Sequence, residues 1–191
     1  MPAGTVRLWT DRLTAAAQRL PDRLFAPLDA ASLVYFRVLF GALMLVITWR
    51  YIDHDWIRDY FIEPDYNFTY LGFDWVKPWP DTWLYIHFYG LALLSIFVIL
   101  GILYRLSALL LAVGFTYIFL LEQARYLNHY YLICLVSLVM IFLPAHRTLS
   151  VDARLRPALR RETAPAWCIW LLRLQIGLVY FYGGVAKINW D

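Results

Sequence analysis

Five long apolar runs constrain the fold of this chain more than any other feature. A helix needs about 20 mainly apolar residues to cross the roughly 30 Å hydrocarbon core of a bilayer, and residues 30–49, 82–104, 106–121, 126–145 and 163–186 meet or approach that length. Their apolar residues do not alternate with polar ones, which argues against membrane strands. Hydrophobic residues make up 62% of the chain and charged residues 16%, against about 45–50% and 25% in soluble domains. The sequence predicts an all-α membrane protein with five transmembrane helices.

The first 29 residues differ from these runs and are expected to form a separate cytoplasmic segment. Trp9, Leu13, Ala16 and Leu20 follow helical spacing between arginines, which is typical of an amphipathic helix lying on a membrane surface. A frayed polar tail is the alternative. No cleaved signal peptide is expected, because Arg, Asp and Pro recur at short intervals here and leave no apolar stretch. Residues 30–191 are then predicted to form the membrane domain.

The distribution of charge predicts the orientation. Ten arginines fall in residues 1–29, at position 105 and in the basic loop 146–162, whereas residues 53–81 carry seven acids beside Arg58 and Lys77. Positive residues mark the cytoplasmic side, so we expect the N-terminus inside and the C-terminus outside. The aromatic, acidic segment 53–81 is expected to cap the extracytoplasmic surface. Arginine greatly outnumbers lysine, a bias that suits a GC-rich bacterial genome, and the predicted location is the bacterial inner membrane.

Ionisable side chains inside the spans are costly and are therefore candidates for function. Arg37 and Arg173 lie about two turns from the predicted cytoplasmic ends of their spans, and snorkelling toward water is the favoured interpretation for both. The outer half of the spans holds four further polar residues: His87, Asn128, His129 and Lys187. The topology places Asn128, His129 and Lys187 in the same leaflet. Simpler interpretations stay open, namely a packed histidine at 129 and a headgroup anchor at 187.

The surroundings of Lys187 suggest a chemical role. Gly183 precedes it by four residues and Tyr180 by seven, so all three lie on one helix face. The glycine leaves space beside the amine, or it permits close helix packing. A lysine amine in apolar surroundings loses its charge more readily and can act as a base, while imidazole and amide groups can hydrogen-bond a developing anion. These residues support a proton-transfer site at the outer leaflet, suited to a lipid-soluble cofactor.

Other classes of site find little support in the sequence. No metal centre is expected, because the four histidines are scattered without paired spacing. Cys134 and Cys168 fall in apolar runs and are expected as small buried residues. The basic cytoplasmic segments suit anionic lipid better than nucleic acid, and the lack of an internal repeat argues against a transporter.

Several separated motifs carry a family resemblance. They are residues 104–107 (YRLS), 119–122 (FLLE), 127–132 (LNHYYL), 149–152 (LSVD), 173–176 (RLQI) and 179–187 (VYFYGGVAK). Together, and with matching loop lengths, they resemble the membrane domain of the vitamin K-dependent γ-carboxylases and their bacterial relatives, the HTTM family. The resemblance covers nearly all of residues 30–191 in one order.

This resemblance implies a specific activity. Reduced vitamin K, or a related quinol, would be oxidised by O2 to the epoxide while CO2 is added to glutamate residues of an extracytoplasmic peptide. Lys187 would be the base that deprotonates the quinol, with His129 and Asn128 as catalytic support. Tyr180, His87 and Gly183 are weaker candidates for the wall of the quinol-binding pocket. Membrane lipid, the quinone and the peptide are thus the expected partners.

Two departures from the family pattern leave an alternative open. Family carboxylases have paired lysines where this chain has Ala186 and Lys187. They also continue into a large extracytoplasmic domain, so we expect this chain to be truncated before that domain. If the chain instead ends naturally at Asp191, the alternative is a non-enzymatic membrane accessory protein that acts in maturation or immunity of a secreted bacterial peptide.

Overall fold

The structure, a computed structural model, describes residues 20–188. It is mostly helical and divides into two compact units, one formed by residues 31–161 and the other, within the described residues, by 20–30 with 162–188. The helices are α1 (Ala31–Asp53), α2 (Asp81–Leu100), α3 (Tyr104–Leu121), α4 (Asn128–Phe142), the short α5 (Val151–Leu155) and α6 (Ala166–Val185). Two three-residue strands also occur, β1 (Pro27–Asp29) and β2 (Thr163–Pro165). Other regular elements are a π-helical segment, Arg58–Ile62, and two 3-10 helices, Gln123–Arg125 and Pro157–Leu159.

The larger unit is a bundle in which α1 packs on α2, α2 on α3 and α3 on α4. Its buried side chains are chiefly aliphatic and aromatic, and Met44, Leu84, Leu111 and Met140 are at most 1% exposed. The close α1–α2 contact depends on Gly41, because a Cβ there would lie 2.7 Å from Ile99 Cγ1. Small residues allow this kind of approach between membrane helices.

One end of this bundle is closed around a buried arginine. Arg37 is 1% exposed, and its guanidinium donates hydrogen bonds to the carbonyls of Ala145 at 2.9 Å and Leu149 at 2.7 Å. The arginine is therefore held by backbone carbonyls inside the protein and does not reach outward to water. Gly101, at φ 66°, passes so close that a Cβ would lie 2.7 Å from Arg37 Nη1. We call this region the Arg37 end.

Asp152 completes the Arg37 end. Its two carboxylate oxygens accept hydrogen bonds from the backbone amides of Leu103 and Tyr104, each at 2.9 Å, and so satisfy amides at the start of α3. The Tyr104 hydroxyl donates to the Met140 carbonyl at 2.8 Å, and its ring stacks on His146 at 5.2 Å. The YRLS and LSVD motifs thus meet in one hydrogen-bonded cluster.

The prediction of five spans is not confirmed. Four helices of the described part are long and apolar enough to cross a membrane, namely α1, α2, α3 and α6. Helix α4 has 15 residues, or about 22 Å at the helical rise, because it begins only after the turn Gln123–Arg125 and ends just before Pro144. The predicted N-terminal amphipathic helix lies almost wholly in residues 1–19, outside the described residues; residues 20–24 are helical.

The second unit begins with a feature that the sequence did not indicate. Strands β1 and β2 pair antiparallel, with Leu28 opposite Ala164, and the Ala166 amide donates to the Ala26 carbonyl at 2.9 Å. Residues 163–165 were predicted as the start of a span, yet they are extended, and Pro165 stands at the N-cap of α6. Proline suits this position because it has no amide hydrogen to leave unsatisfied.

Candidate functional site

Asn128 and His129 occupy the first turn of α4, at the opposite end of the bundle from Arg37. Both side chains are exposed. Their position is set by Glu122, which ends α3 and accepts a hydrogen bond from the Ala124 amide at 2.9 Å. The same carboxylate accepts from the Phe68 amide at 3.3 Å, so it also holds the aromatic segment 53–81. We call this region the His129 end.

His129 lines a groove of about 540 Å³ between α1 and α4. The groove is mainly apolar, and its polar groups belong to His129, Arg50, Trp56 and Tyr130. Its other lining residues are Leu43, Ile47, Leu127, Leu132 and Ile133. The His129 ring meets the Tyr130 ring edge-on at 4.7 Å. An apolar groove with a few polar groups at one end is typical of sites for small lipophilic ligands.

A second cavity adjoins this groove. It has a volume of about 280 Å³ and shares Trp56, Leu127 and Tyr130 with the first, while adding Tyr51, Tyr60, Ala124, Arg125 and Tyr126. Tyr51 is 7% exposed and stacks on Phe88 at 5.1 Å. Its ring also lies 5.5 Å from that of Trp56, so a rigid aromatic cluster supports this end of the bundle.

His87 is placed differently from His129. Its Nε2 lies 3.1 Å from the Gly114 carbonyl, and its ring contacts Trp79 and Tyr117 at 5.5 and 5.2 Å. A Cβ on Gly114 would lie 3.3 Å from His87 Cε1, so the glycine permits this contact between α2 and α3. His87 is not among the residues that line the His129 groove. Its assignment to a quinol pocket stays a prediction.

Tyr180, Gly183 and Lys187 belong to the second unit. Tyr180 is 78% exposed on α6, and Lys187 follows the end of that helix in an exposed turn, where its amide donates to the Gly184 carbonyl at 3.0 Å. A Cβ on Gly183 would meet nothing within 4 Å, so the space beside this face is open. The prediction that Lys187 and His129 share one site stays a prediction.

Two other expectations concern cysteines and metals. Cys134 and Cys168 are both buried, which confirms them as small core residues. Within residues 20–188, no group of three or more His, Cys, Asp or Glu side chains could hold a metal ion.

The sequence pattern did not predict that Arg50 and Trp56 line the groove with His129, or that Tyr60 lines the adjoining cavity. Neither Arg50 nor Arg125 was predicted as a site residue. The signal available was the spacing of Trp56 and Tyr60 by four residues, which places their rings together on a helical turn.

The fold defines the class of this protein as a helical membrane protein with an apolar groove at one end of its bundle. A family model of the HTTM domain matches residues 25–191, and the chain therefore belongs to the HTTM domain family. The resemblance found in the sequence is thereby confirmed, and the chain is a carboxylase-related membrane domain. No solved structure matches it.

Proposed function

We propose that this protein is a carboxylase-like membrane domain that binds reduced vitamin K, or a related quinol, and couples its oxidation to γ-carboxylation of glutamate in an extracytoplasmic peptide. One observation carries the proposal: in this chain of the HTTM family, His129 lies in an apolar groove whose lining includes the rings of Trp56 and Tyr130. Imidazole beside an apolar groove suits a ligand that is both lipophilic and able to donate a proton.

The residues of the groove fit a quinol. Its volume of about 540 Å³ lies within the range of about 300–1,000 Å³ found for small-molecule sites. Trp56 and Tyr130 offer ring surfaces for a flat aromatic head, and Leu43 and Ile47 offer an apolar path for an isoprenoid-like tail. Arg50 can donate hydrogen bonds at the rim but cannot accept them.

Each catalytic residue has a distinct task in the proposal. His129 hydrogen-bonds a quinol oxygen and favours its anionic form, and the Asn128 amide adds a second donor. Lys187 takes the hydroxyl proton; its assignment rests on the resemblance of residues 179–187 to the family motif. When bound, the quinol would supply, through its oxidation by O2 to the epoxide, the strong base that removal of the glutamate γ-proton requires, and CO2 would add at that carbon.

The purified protein in lipid nanodiscs provides the test. Reduced vitamin K, labelled bicarbonate and a glutamate peptide are added, and both the epoxide and the label in the peptide are measured. We expect His129→Ala and Lys187→Ala to lower epoxide formation by at least about 100-fold, the usual scale for loss of a proton-transfer group. Arg58→Gln, a change at an exposed ion pair with Glu63 at 3.0 Å, serves as the control.

Two outcomes would contradict the proposal. One is wild-type protein that forms no epoxide and incorporates no label, although it retains its helical circular dichroism. The other is an undiminished rate in Lys187→Ala, which would remove this lysine from the role of base.

A further inference from the structure

Two arginines at the His129 end are held on aromatic rings. The guanidinium carbon of Arg125 lies 3.3 Å from the ring centre of Tyr60, and that of Arg50 lies 5.2 Å from the ring centre of Trp56. Trp56 and Tyr60 stack on each other at 5.7 Å with an interplanar angle of 18°. The two cations are thus attached to one aromatic pair, and stacking leaves the in-plane N–H groups of a guanidinium free to donate.

Neither arginine has a carboxylate partner within the described residues, although this end is rich in acids. Five acids of this end have other partners: Asp53 pairs with His54, Glu63 with Arg58, Asp55 accepts from Tyr85, Asp74 from Thr69, and Glu122 from backbone amides. Arg58 thus has a carboxylate partner in Glu63, while Arg50 and Arg125 have none among the described residues. Unpaired arginines over rings provide donors with a geometry that matches a carboxylate.

Both arginines also line the cavities beside His129. Arg50 lines the groove that contains His129, and Arg125 lines the adjoining cavity. The two cavities share Trp56 and Tyr130, so a ligand that contacts either arginine lies next to the proposed quinol groove. A carboxylate is the group whose shape and charge fit two arginine donors, and the reaction proposed above requires one beside the quinol.

We infer that Arg50 and Arg125 form a carboxylate-binding subsite that takes the glutamate side chain of the peptide substrate. The inference rests on the proposed function for the identity of the peptide. The arginines bind and position the carboxylate and take no part in proton transfer. Glutamine, which is neutral but has a similar shape, binds poorly at such a subsite because it leaves the guanidinium charge uncompensated.

Binding is measured separately from turnover. A fluorescent peptide with one glutamate among neutral residues, and its glutamine counterpart, are titrated against the protein in nanodiscs of neutral lipid, with fluorescence anisotropy as the readout. We expect the glutamate peptide to bind at least about tenfold more tightly than the glutamine peptide. In Arg125→Gln and Arg50→Gln this preference falls to about twofold or less, whereas Arg58→Gln retains it.

Turnover then distinguishes the subsite from the reaction. Both arginine variants are expected to raise the KM for the glutamate peptide at least about tenfold while the KM for reduced vitamin K stays within about twofold. Equal binding of both peptides by the wild type, or an unchanged preference in Arg125→Gln and Arg50→Gln, would overturn the subsite. A preference that depends on the arginines in a protein that forms no epoxide would support the subsite and reject the proposed reaction.

Discussion

The two ends of the α1–α4 bundle hold their arginines in opposite ways. At the Arg37 end, the cation is 1% exposed and both of its terminal nitrogens donate to carbonyls of the chain. At the His129 end, Arg50 and Arg125 are exposed and lie over rings without a carboxylate partner. The first arrangement uses charge to join helices and loops, whereas the second keeps charge available for a ligand.

This difference separates stability from function. A buried arginine bonded to carbonyls leaves those acceptors unsatisfied when it is removed. Replacing an exposed arginine lowers the stability of the protein little, since surface charges contribute only about 0–1 kcal/mol. Substitutions at the Arg37 end should therefore act on folding, and substitutions at the His129 end should act on binding and turnover.

The largest expected effect on folding is that of Arg37→Met. The methionine keeps an apolar stem but leaves the carbonyls of Ala145 and Leu149 without their donors, which costs about 1–3 kcal/mol of stability each. We expect the free energy of unfolding to fall by about 2–5 kcal/mol, measured by titration from mild detergent into SDS with tryptophan fluorescence as the signal. Arg50→Met, on the same helix but at the His129 end, is expected to change it by less than about 1 kcal/mol. Equal losses in both variants would contradict the contrast between the ends.

Gly101→Ala tests how closely the Arg37 end is packed. Its φ of 66° disfavours a side chain by about 1–2 kcal/mol, and the added Cβ would lie 2.5 Å from Ser150 Cβ. We expect a total loss of about 2–4 kcal/mol, because overpacking adds to the strain.

Gly72→Ala is the matched control, since Gly72 also has a positive φ of 82° but has nothing within 4 Å of its added Cβ. Gly72 lies in segment 53–81 at the His129 end, and its substitution should cost only the backbone part, about 1–2 kcal/mol. A cost for Gly72→Ala as large as that for Gly101→Ala would show that strain, and not packing, decides the effect.

The smallest expected effect is a pH dependence at the Arg37 end. Burial lowers the pKa of the His146 imidazole below its ordinary 6.5; Arg105, Arg147 and Arg37 lower it further, while Asp152 opposes them. The unfolded chain therefore takes up a proton first as the pH falls, so stability is full above 6.5 and declines as the pH falls below it. His146→Phe should remove this part of the decline in SDS titrations between pH 7.5 and 5. An identical decline in the variant would assign the dependence to another group.

Much of the architecture could be predicted from the sequence because it follows from local composition. The predicted run 106–121 corresponds to α3 (Tyr104–Leu121), and the run 30–49 lies largely within α1 (Ala31–Asp53). The fourth run was predicted too long. Hydropathy does not register that the Glu122 carboxylate accepts a hydrogen bond from the Ala124 amide, and this turn delays the start of α4 to Asn128. Strand β2 was missed because three residues carry no periodic pattern.

The candidate site, too, could be predicted only in part from the sequence. Asn128 and His129 were identifiable because polar side chains are rare in apolar runs, and the motifs around them sufficed to predict the HTTM family. Arg50 and Trp56 could not be assigned to the His129 groove, because they lie more than 70 positions away in the chain and only the tertiary fold brings them beside the first turn of α4.

The sequence by itself determined that this chain is a helical membrane protein of the HTTM family, since the length and apolarity of its runs leave its backbone few other ways to satisfy its hydrogen bonds in lipid. Only the tertiary structure decided what each charged residue does. Arg37 and Arg50 are the same residue type on the same helix, yet one is enclosed by carbonyls and the other is left open beside His129. That distinction depends on which distant segments pack around each guanidinium, and neither residue's local sequence contains it.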